Sequence, residues 1–345
     1  MKILITGGAG FIGSNAAEYY AADSENEVIV FDNLSRAKLM HQEDKNARHN
    51  WDFLKQFKNI KLVEGDTRKF EEVKDASKDA DTIIHLAGQT AVTTSVTDPR
   101  TDFEINARGA FNVLEAARIN DVKNVVYSST NKVFGHNVNH VGIVEEEKRY
   151  RFEDKFANGI PTDFSIDLCE HTPYGCSKLA ADLYMQDYHH QYGLKTGVFR
   201  MSCIYGTRQF GFEDQGWVAW FTIATLKGTP LTIFGDGKQV RDALYVTDLV
   251  KAYDNFLKSD IKHGVYSMGG GKDNTMSLLE LLDMLEELTG KRSKISFSDW
   301  RPSDQKVFIA DTTKAQNELN WKPGINPRMG MKKLVDWVQE NLNLF

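Results

Sequence analysis

Short β-branched runs alternate with longer amphipathic segments through the first 200 residues of this 345-residue chain. Six of these runs are KILIT, EVIVF, IKLVEG, DTIIHLAG, KNVVYSS and KTGVFR. Strands that alternate with helices indicate a parallel sheet with helices on both faces. The continuous apolar character of TIIHL and NVVY is typical of strands that are covered on both sides. The sequence therefore predicts an α/β fold built on a doubly wound parallel sheet.

The regular alternation ends near residue 200. Helical stretches such as GWVAWFTIATLKG and SLLELLDMLEELTG then lie among short strands, with Gly and Pro between them. This pattern predicts a second, smaller α/β domain that binds substrate. We place the first domain at residues 1–199, with 239–265 returning to it, and the second domain at residues 200–238 and 266–345.

Charge and cysteine usage exclude several classes of protein. The formal net charge of −6 disfavours a nucleic-acid partner, which would need a positive face to neutralise phosphates. Cys169, Cys176 and Cys203 form no CxxC pair, so we expect neither a metal site nor a disulfide framework. The chain has neither a long apolar run nor the basic and apolar start of a signal peptide, which predicts a cytoplasmic protein without a membrane partner.

A glycine-rich turn, TGGAGFIG, follows the first predicted strand and opens a helix. Gly7, Gly10 and Gly13 permit a tight turn, a close approach of backbone to pyrophosphate, and close packing of helix on strand. Asp32 ends the second strand, where a carboxylate can hold the adenosine ribose hydroxyls and repel a 2′-phosphate. These features predict a Rossmann domain that binds NAD, although Arg36 lies close enough to keep NADP as an alternative.

The remaining cofactor contacts are expected near the glycine turn and at the carboxyl ends of the following strands. They are Phe11, Ile12, Asn33, Ser35, Asp66, Thr67, Leu86, Ala87, Gly88, Gln89, Asn106, Ser128 and Ser129, together with Tyr174 and Lys178.

The letters TPYGCSK form a helix start, with Thr172 as the N-cap and Pro173 in the first turn. Tyr174 and Lys178 are four residues apart and therefore share one face of this helix. A tyrosine with its usual pKa of about 10 is a poor base at neutral pH, so an adjacent ammonium and a nicotinamide cation must favour the phenolate. We therefore predict that Tyr174 and Lys178 are catalytic.

The fifth strand ends with YSST, at the edge of the sheet where ligands bind. From this position Ser129 and Thr130 are expected to orient a substrate hydroxyl toward Tyr174. Thr130 is therefore the third predicted catalytic residue.

The combination of TGGAGFIG, SST and YGCSK resembles the extended short-chain dehydrogenase/reductase family, which includes nucleotide-sugar epimerases and dehydratases. Five ordered segments are similar to the CDP-sugar 2-epimerases of that family: STNKVFG, HTPYGCSK, YGTRQFGFEDQGW, GDGKQVRDALYVTDL and RPSDQKVFIAD. The resemblance implies that Tyr174 is the base, that Lys178 lowers the pKa of Tyr174 and holds the nicotinamide ribose, and that Thr130 bonds the reacting oxygen.

The resemblance also implies a substrate site. Arg241 and Arg301 would bind the pyrophosphate of a nucleotide sugar, although two surface ion pairs are the alternative. Other expected substrate contacts are Thr94, Thr130, Asn131, Arg208, Gln215, Gly216 and Trp217. For Trp217, an ordinary core tryptophan at a helix start is the alternative.

Three departures from related sequences bear on the reaction. Phe134 replaces the tyrosine of a VYG motif, and Cys203 stands where UDP-galactose 4-epimerases carry an asparagine. Asn131 and Lys132 stand where 4,6-dehydratases require Asp-Glu, which disfavours dehydration.

We therefore expect an NAD-dependent isomerase, a nucleotide-sugar epimerase that oxidises C2 of a CDP-sugar transiently and passes through a 2-keto intermediate. A UDP-sugar 4-epimerase and a non-catalytic, NAD-sensing Rossmann protein are the alternatives. We also expect the chain to form a homo-oligomer.

Overall fold

The computed structural model of the chain describes residues 1–36, 46, 48–301 and 304–345. Residues 302 and 303, which belong to the segment RPSDQKVFIAD, lie outside the described residues. Within the described ranges, no helix is both long enough and apolar enough to cross a membrane.

The chain divides into two compact units, and each is formed from three stretches of sequence. The first unit comprises Met1–Val133, Thr172–Arg200 and Val250–Tyr266, and the second comprises Phe134–His171, Met201–Leu249 and Ser267–Phe345. This division counts residues 134–171 and 239–249 with the second unit, whereas the boundaries drawn from the sequence counted them with the first. The boundaries of folding domains therefore stay a prediction.

Fifteen strands are described, and their bounds in chain order are β1 Lys2–Thr6, β2 Glu27–Asp32, β3 Ile60–Glu64, β4 Thr82–His85, β5 Asn124–Thr130, β6 Ile143–Glu145, β7 Tyr150–Phe152, β8 Lys195–Met201, β9 Cys203–Tyr205, β10 Leu231–Phe234, β11 Val240–Tyr245, β12 His263–Met268, β13 Thr275–Ser277, β14 Ile295–Ser298 and β15 Val307–Phe308.

Twelve α-helices are described: α1 Phe11–Ala21, α2 His49–Leu54, α3 Phe70–Ala76, α4 Val92–Thr97, α5 Pro99–Phe103, α6 Gly109–Ile119, α7 Pro173–Tyr192, α8 Trp217–Lys227, α9 Val246–Lys258, α10 Leu278–Thr289, α11 Thr313–Leu319 and α12 Pro327–Glu340. A π-helical turn, Glu104–Arg108, joins α5 to α6, and short 3-10 helices cover Asn131–His140, Asp154–Phe156, Lys272–Asn274 and Leu342–Leu344.

The first unit is built on a seven-stranded sheet with the order β12-β8-β5-β4-β1-β2-β3. The ladders that join β3 to β2, β2 to β1, β1 to β4 and β4 to β5 are parallel. All six strand segments predicted from the sequence are present in this sheet. The prediction of a doubly wound parallel α/β fold is therefore confirmed.

Helices pack on this sheet through apolar side chains that are removed from water. On one face, Leu4, Ile83 and Val125 from the strands join Val113 of α6 and Met185 of α7 in a single hydrophobic cluster. Burying a side chain of this size contributes about 1.5–3 kcal/mol to stability. The cluster therefore fixes α7, the helix that begins with Pro173 and Tyr174, against the sheet.

The second unit combines small sheets with helices. In one sheet β11 pairs antiparallel with β13 and parallel with both β15 and β9, while β10 pairs parallel with β14. Strands β6 and β7 form an antiparallel pair. Helices α8 and α10 match the two helices predicted from the sequence, and α10 begins with a capping box between Ser277 and Glu280.

Candidate active site

The glycine turn after β1 is too crowded for larger residues. Gly7 has a φ of +67°, and a Cβ on it would lie 2.6 Å from the backbone nitrogen of Ala87. A Cβ on Gly13 would collide with the carbonyl oxygen of Gly7. Gly10 is the N-cap of α1, so the helix begins at Phe11 and directs its free N–H groups at the turn. This open backbone cradle at a helix N-terminus fits the pyrophosphate of a dinucleotide.

Asp32, at the end of β2, is held by two backbone bonds. Its Oδ2 accepts from the Ala9 nitrogen at 3.0 Å, and its Oδ1 accepts from the Leu34 nitrogen at 2.8 Å. Burial raises the pKa of Asp32, and the two backbone bonds oppose that rise. Each carboxylate oxygen keeps a second lone pair, which is the acceptor that ribose hydroxyls require. The contacts thus fit the predicted role of Asp32.

A chain of bonds runs from the end of β2 to the end of β3. The Asn33 amide donates to Asp66 Oδ2 at 3.1 Å and accepts from the Ser35 hydroxyl at 2.6 Å. Burial opposes ionisation of Asp66, but bonds from Arg68 lower the pKa of this carboxyl overall. Thr67 is buried beside this carboxylate. These residues form the polar region where we predict the adenosine.

Arg36 follows the same turn, and burial lowers its pKa to about 10, so its guanidinium stays charged at neutral pH.

The loop after β4 is fixed by Asn106, which lies on the π-helical turn. The Gln89 nitrogen donates to Asn106 Oδ1 at 2.9 Å, and Asn106 Nδ2 donates to the Gln89 carbonyl at 3.1 Å. Leu86 donates through its nitrogen to the Thr6 carbonyl at 3.0 Å. A Cβ on Gly88 would lie 3.0 Å from Asn106 Oδ1. The amide of Asn106 is therefore committed to shaping this loop.

The predicted helix start is present. The Thr172 hydroxyl accepts from the Gly175 nitrogen at 3.2 Å, and Pro173 is the first residue of α7. The backbone nitrogen of Tyr174 donates to the Ser95 hydroxyl at 3.1 Å, which ties the first turn of α7 to α4. The helix start thus carries Tyr174 in a fixed position.

Tyr174, Lys178 and the end of β5 form one buried cluster. The Tyr174 hydroxyl is hydrogen-bonded to the Thr130 side chain. Lys178 Nζ donates to the carbonyl of Ser128 at 2.6 Å and lies 4.3 Å from the centroid of the Tyr127 ring. The structure therefore brings the three predicted catalytic side chains to one place.

Burial dominates the protonation of this cluster. It raises the pKa of Tyr174 to about 12, with the Thr130 bond acting in the opposite direction. It also lowers the pKa of Lys178 to about 7, against the influence of Asp182 and Asp102. These two shifts oppose the phenolate and ammonium pair that we expected. The protein alone therefore disfavours the phenolate, and the predicted effect of Lys178 on Tyr174 stays a prediction.

The two serines that precede Thr130 have structural partners. The Ser129 hydroxyl donates to Asp182 Oδ2 at 2.6 Å, and Asp182 is paired with Arg200 at 3.0 Å. The Ser128 hydroxyl lies 2.7 Å from Tyr253 Oη. The Ser129 hydroxyl donates its proton inside the core, so it could meet a substrate hydroxyl only as an acceptor, and its role in orienting the substrate stays a prediction.

Two predicted substrate residues, Asn131 and Thr94, belong to the first unit. Asn131 is buried, and its Oδ1 accepts from the Thr130 hydroxyl at 3.4 Å. Thr94 is half-buried in α4, where its carbonyl accepts from the Asp98 nitrogen. Their contacts with substrate stay predictions.

The second unit contains the other predicted substrate residues. Arg208 is buried with a φ of +64°, and Gly216, with a φ of +76°, immediately precedes α8. Gln215 forms an isolated bridge with Phe212. Trp217 is half-buried and bonds the thiol of Cys203, whose pKa is raised to about 12 by burial.

Arg241 and Arg301 each have an acidic neighbour. Arg301 Nη2 lies 3.2 Å from Asp214 Oδ1, and its guanidinium carbon lies 3.8 Å from the centroid of the Phe234 ring. Arg241 Nη2 lies 3.9 Å from Asp304 Oδ1, and burial lowers the pKa of Arg241. Both the ion-pair alternative and the predicted phosphate contact therefore stay open for these arginines.

Sequence reasoning missed several residues that hold the site together. Ser95, Asp102, Ser177, Asp182 and Arg200 are all buried. Asp182 follows Lys178 by four residues on α7, and that spacing was a usable signal of a shared helix face. The bonds that join Ser95 and Asp102 to α7 span more than 70 residues of sequence, so no local pattern could identify them.

Comparison with known proteins identifies the family. The sequence model of the NAD dependent epimerase/dehydratase family matches residues 3–269. CDP-paratose 2-epimerase of Salmonella typhi is 43% identical over 98% of this chain and 99% of that protein. UDP-glucuronate 4-epimerase of Thermodesulfobacterium geofontis is 30% identical over 99% of this chain and 97% of that protein.

Solved structures agree with this assignment. UDP-glucose 4-epimerase of Thermotoga maritima, solved with UDP-glucose, has a TM-score of 0.81 and 29% identity, with 99% of this chain and 100% of that chain covered. UDP-glucose 4-epimerase of Thermus thermophilus, solved with NAD, has a TM-score of 0.78 and 31% identity, with 98% of this chain and 99% of that chain covered. The chain belongs to the NAD-dependent epimerase/dehydratase family, and its cofactor is NAD.

Proposed function

We propose that the chain is a nucleotide-sugar epimerase that inverts C2 of a CDP-linked sugar. The observation that carries this proposal is the 43% identity to CDP-paratose 2-epimerase over nearly all of both chains. The 4-epimerase relatives reported above are less similar, at 29% to 31% identity. The buried cluster of Tyr174, Thr130 and Lys178 supplies the acid–base groups that such a reaction needs.

The glycine turn and Asp32 would hold the cofactor, and bound NAD supplies an acceptor and then a donor of hydride for the sugar carbon. Thr130 holds the C2 hydroxyl next to Tyr174. Tyr174 accepts the proton of that hydroxyl as C2 becomes a ketone, and it returns the proton when the ketone is reduced. Lys178 holds a positive charge beside the phenolate that this transfer creates.

The polar residues after Thr130 favour epimerisation over dehydration. Elimination of water requires an acid and a base beside the threonine. Asn131 is an amide that accepts a bond from Thr130, and Lys132 is a cation that donates its backbone nitrogen to the same hydroxyl at 3.2 Å. Neither residue supplies the carboxylic acid pair of a dehydratase, so the redox route to inversion is the one these residues support.

Arg241 and Arg301 would bind the diphosphate of the substrate. A guanidinium offers paired N–H donors that match phosphate oxygens. Both side chains are largely shielded from solvent, with side-chain exposures of 16% and 24%, so their contacts with phosphate are only partly screened. Their acidic partners, Asp304 and Asp214, would exchange with the phosphate oxygens when substrate binds.

A homo-oligomer and a cytoplasmic location complete the proposal. Phe111 of α6 and Tyr184 and Tyr192 of α7 are exposed aromatic side chains on neighbouring helices. Exposed apolar patches of this kind favour association between copies of a chain. Sedimentation equilibrium of the purified protein measures the assembly.

The position of the chemistry is tested with a CDP-sugar deuterated at C2. If C2 is oxidised by loss of hydride and then reduced in a closed site, the inverted product keeps deuterium at C2 after turnover in ordinary water. A carbon acid would instead exchange the label with solvent. Mass spectrometry and proton NMR of the product read both the label and the inverted centre. Washout of deuterium, or inversion at C4, would contradict the proposal.

A further inference from the structure

Asp102 of α5 is a buried carboxylate to which the proposed reaction assigns no role. Only 1% of its surface is exposed. Its Oδ2 accepts from the Ser177 hydroxyl at 2.5 Å, and its Oδ1 accepts from Asn106 Nδ2 at 3.0 Å. Both carboxylate oxygens are thus used by side chains from different elements.

The first of these bonds leads to the catalytic helix. Ser177 is on α7 between Tyr174 and Lys178, and its hydroxyl also lies 3.1 Å from the Tyr174 carbonyl. A bond from this hydroxyl to Asp102 resists rotation of α7 about its axis. Because Tyr174 and Lys178 are on the same turn and a half of helix, such a rotation would move both side chains together.

The second bond leads to the loop after β4. Asn106 holds both the nitrogen and the carbonyl of Gln89, and its Nδ2 also lies 3.2 Å from the Ser177 hydroxyl. Asp102, Asn106 and Ser177 therefore form a closed triangle of hydrogen bonds. One corner faces the catalytic helix and another faces the loop at residues 86–89.

We propose that Asp102 is a positioning residue that sets the geometry of Tyr174 and Lys178 relative to the loop at residues 86–89. It acts through Ser177 and Asn106, and it touches neither substrate nor cofactor in this role. The inference rests on the proposed function, since it assigns Tyr174 and Lys178 to the chemistry.

The charge of Asp102 also acts on these groups. Its carboxylate raises the pKa of Lys178, together with the carboxylate of Asp182, and it raises the pKa of Tyr174. Arg200 is paired with Asp182, so the charge of Asp182 is largely compensated. The other titratable groups that face Asp102 or Lys178 are Asp98, Tyr127 and His85.

An isosteric variant separates positioning from simple packing. Asp102→Asn keeps the size of the side chain but offers one acceptor oxygen in place of two, so it can no longer accept hydrogen bonds from Ser177 and Asn106 at the same time. We expect kcat to fall about 10- to 100-fold, because small displacements of catalytic groups have effects of this size, while KM stays at the wild-type value.

The dependence of kcat on pH distinguishes the proposed role, because a purely structural role of Asp102 would leave this dependence unchanged. Removal of the negative charge lowers the pKa values of both Tyr174 and Lys178. Both limbs of the plot of kcat against pH, which report the ionisation of Tyr174 and Lys178, should therefore move to lower pH. Asp98→Asn is the matched control, because Asp98 is an exposed acid four residues away that caps α5, and this variant should keep the wild-type profile.

Ser177→Ala removes the hydrogen bond between α7 and Asp102 and leaves the charge of Asp102 in place. It should lower kcat without moving either limb of the pH profile of kcat. If Asp102→Asn does not fold, Ser177→Ala tests the positioning role on its own. Wild-type kcat in Ser177→Ala, or a folded Asp102→Asn with wild-type kcat and pH profile, would overturn the proposal.

Hydrogen–deuterium exchange gives a readout that needs no substrate. In Asp102→Asn, exchange should rise in residues 173–178 and 86–91 together. If the wild-type protein converts no CDP-sugar, the proposed function fails, and the exchange result still decides the role of Asp102. Unchanged exchange in both segments would contradict the coupling.

Discussion

At the scale of single residues, removal of the Tyr174 hydroxyl should affect catalysis much more than the packing of the ring. Tyr174→Phe keeps the buried ring and loses the bond to Thr130, so we expect a loss of stability of only about 0.5–1.5 kcal/mol. Turnover should fall by about 10²–10⁴-fold because the proton acceptor is gone. Steady-state kinetics, the thermal midpoint and the NAD content of the purified protein measure these effects.

Tyr20→Phe is the matched control, because Tyr20 is also a buried tyrosine and its hydroxyl has no hydrogen-bond partner among the described residues. It should keep wild-type activity. Activity of Tyr174→Phe close to that of Tyr20→Phe would assign the base to another residue.

A site residue could be predicted most directly from the sequence when the residues it contacts lie close to it along the chain. Gly7, Gly10 and Gly13 are constrained by one tight turn, and Tyr174 and Lys178 by one helical turn, so local spacing was sufficient. The bond from the Ser129 hydroxyl to Asp182 could not be predicted, because the two residues are 53 positions apart in the sequence. A short pattern reports which residues reach the edge of the sheet but does not report which way each hydroxyl points.

At the scale of elements, a buried ion pair joins α7 to the sheet. Asp182 of α7 is paired with Arg200 of β8, and it also accepts from Ser129 of β5. Arg200→Met would leave an unpaired carboxylate in the core, which costs about 3–5 kcal/mol of unfolding free energy. Urea unfolding of the protein measures this loss.

Arg118→Met is the control, because it breaks an exposed pair with Glu115 and should change stability little. The double variant Arg200→Met with Asp182→Leu should recover part of the loss, since no charge then remains buried. Equal effects of Arg200→Met and Arg118→Met would contradict the role of the buried pair.

The strands of the large sheet were predictable because each is a continuous apolar run, and burial on both faces enforces that composition. The short helices α4 and α5 and the π-helical turn were not predicted. Their geometry depends on tertiary contacts such as the bond from Tyr174 to Ser95 and the bonds of Asn106 to Gln89. The local sequence in these segments carries no strong helical period.

At the scale of the whole molecule, the proposed function divides between the two units. The first unit contains the residues predicted to bind NAD and the cluster of Tyr174, Lys178 and Thr130, and the second unit contains Arg241 and Arg301. Arg301→Ala should weaken binding of the CDP-sugar about 10- to 100-fold, which corresponds to the 1.5–3 kcal/mol of a charge-assisted hydrogen bond. The NAD content should stay unchanged. Calorimetric titration and the absorbance of released cofactor measure the two quantities.

Arg328→Ala is the matched control, since Arg328 is an exposed arginine of the second unit that pairs with Glu287. It should leave both quantities at wild-type values. Unchanged substrate affinity in Arg301→Ala would leave Arg301 as the partner of Asp214 alone.

The three separate stretches of the first unit affect how the chain is made. In the folded sheet β5 lies between β4 and β8. The ribosome synthesises β4 before β5, whereas β8 follows only after residues 134–171 and all of α7. At about 5–20 residues per second this interval lasts several seconds. During that time an apolar strand edge is open to other nascent chains. A chaperone that covers this edge until β8 arrives would therefore protect the nascent chain from aggregation.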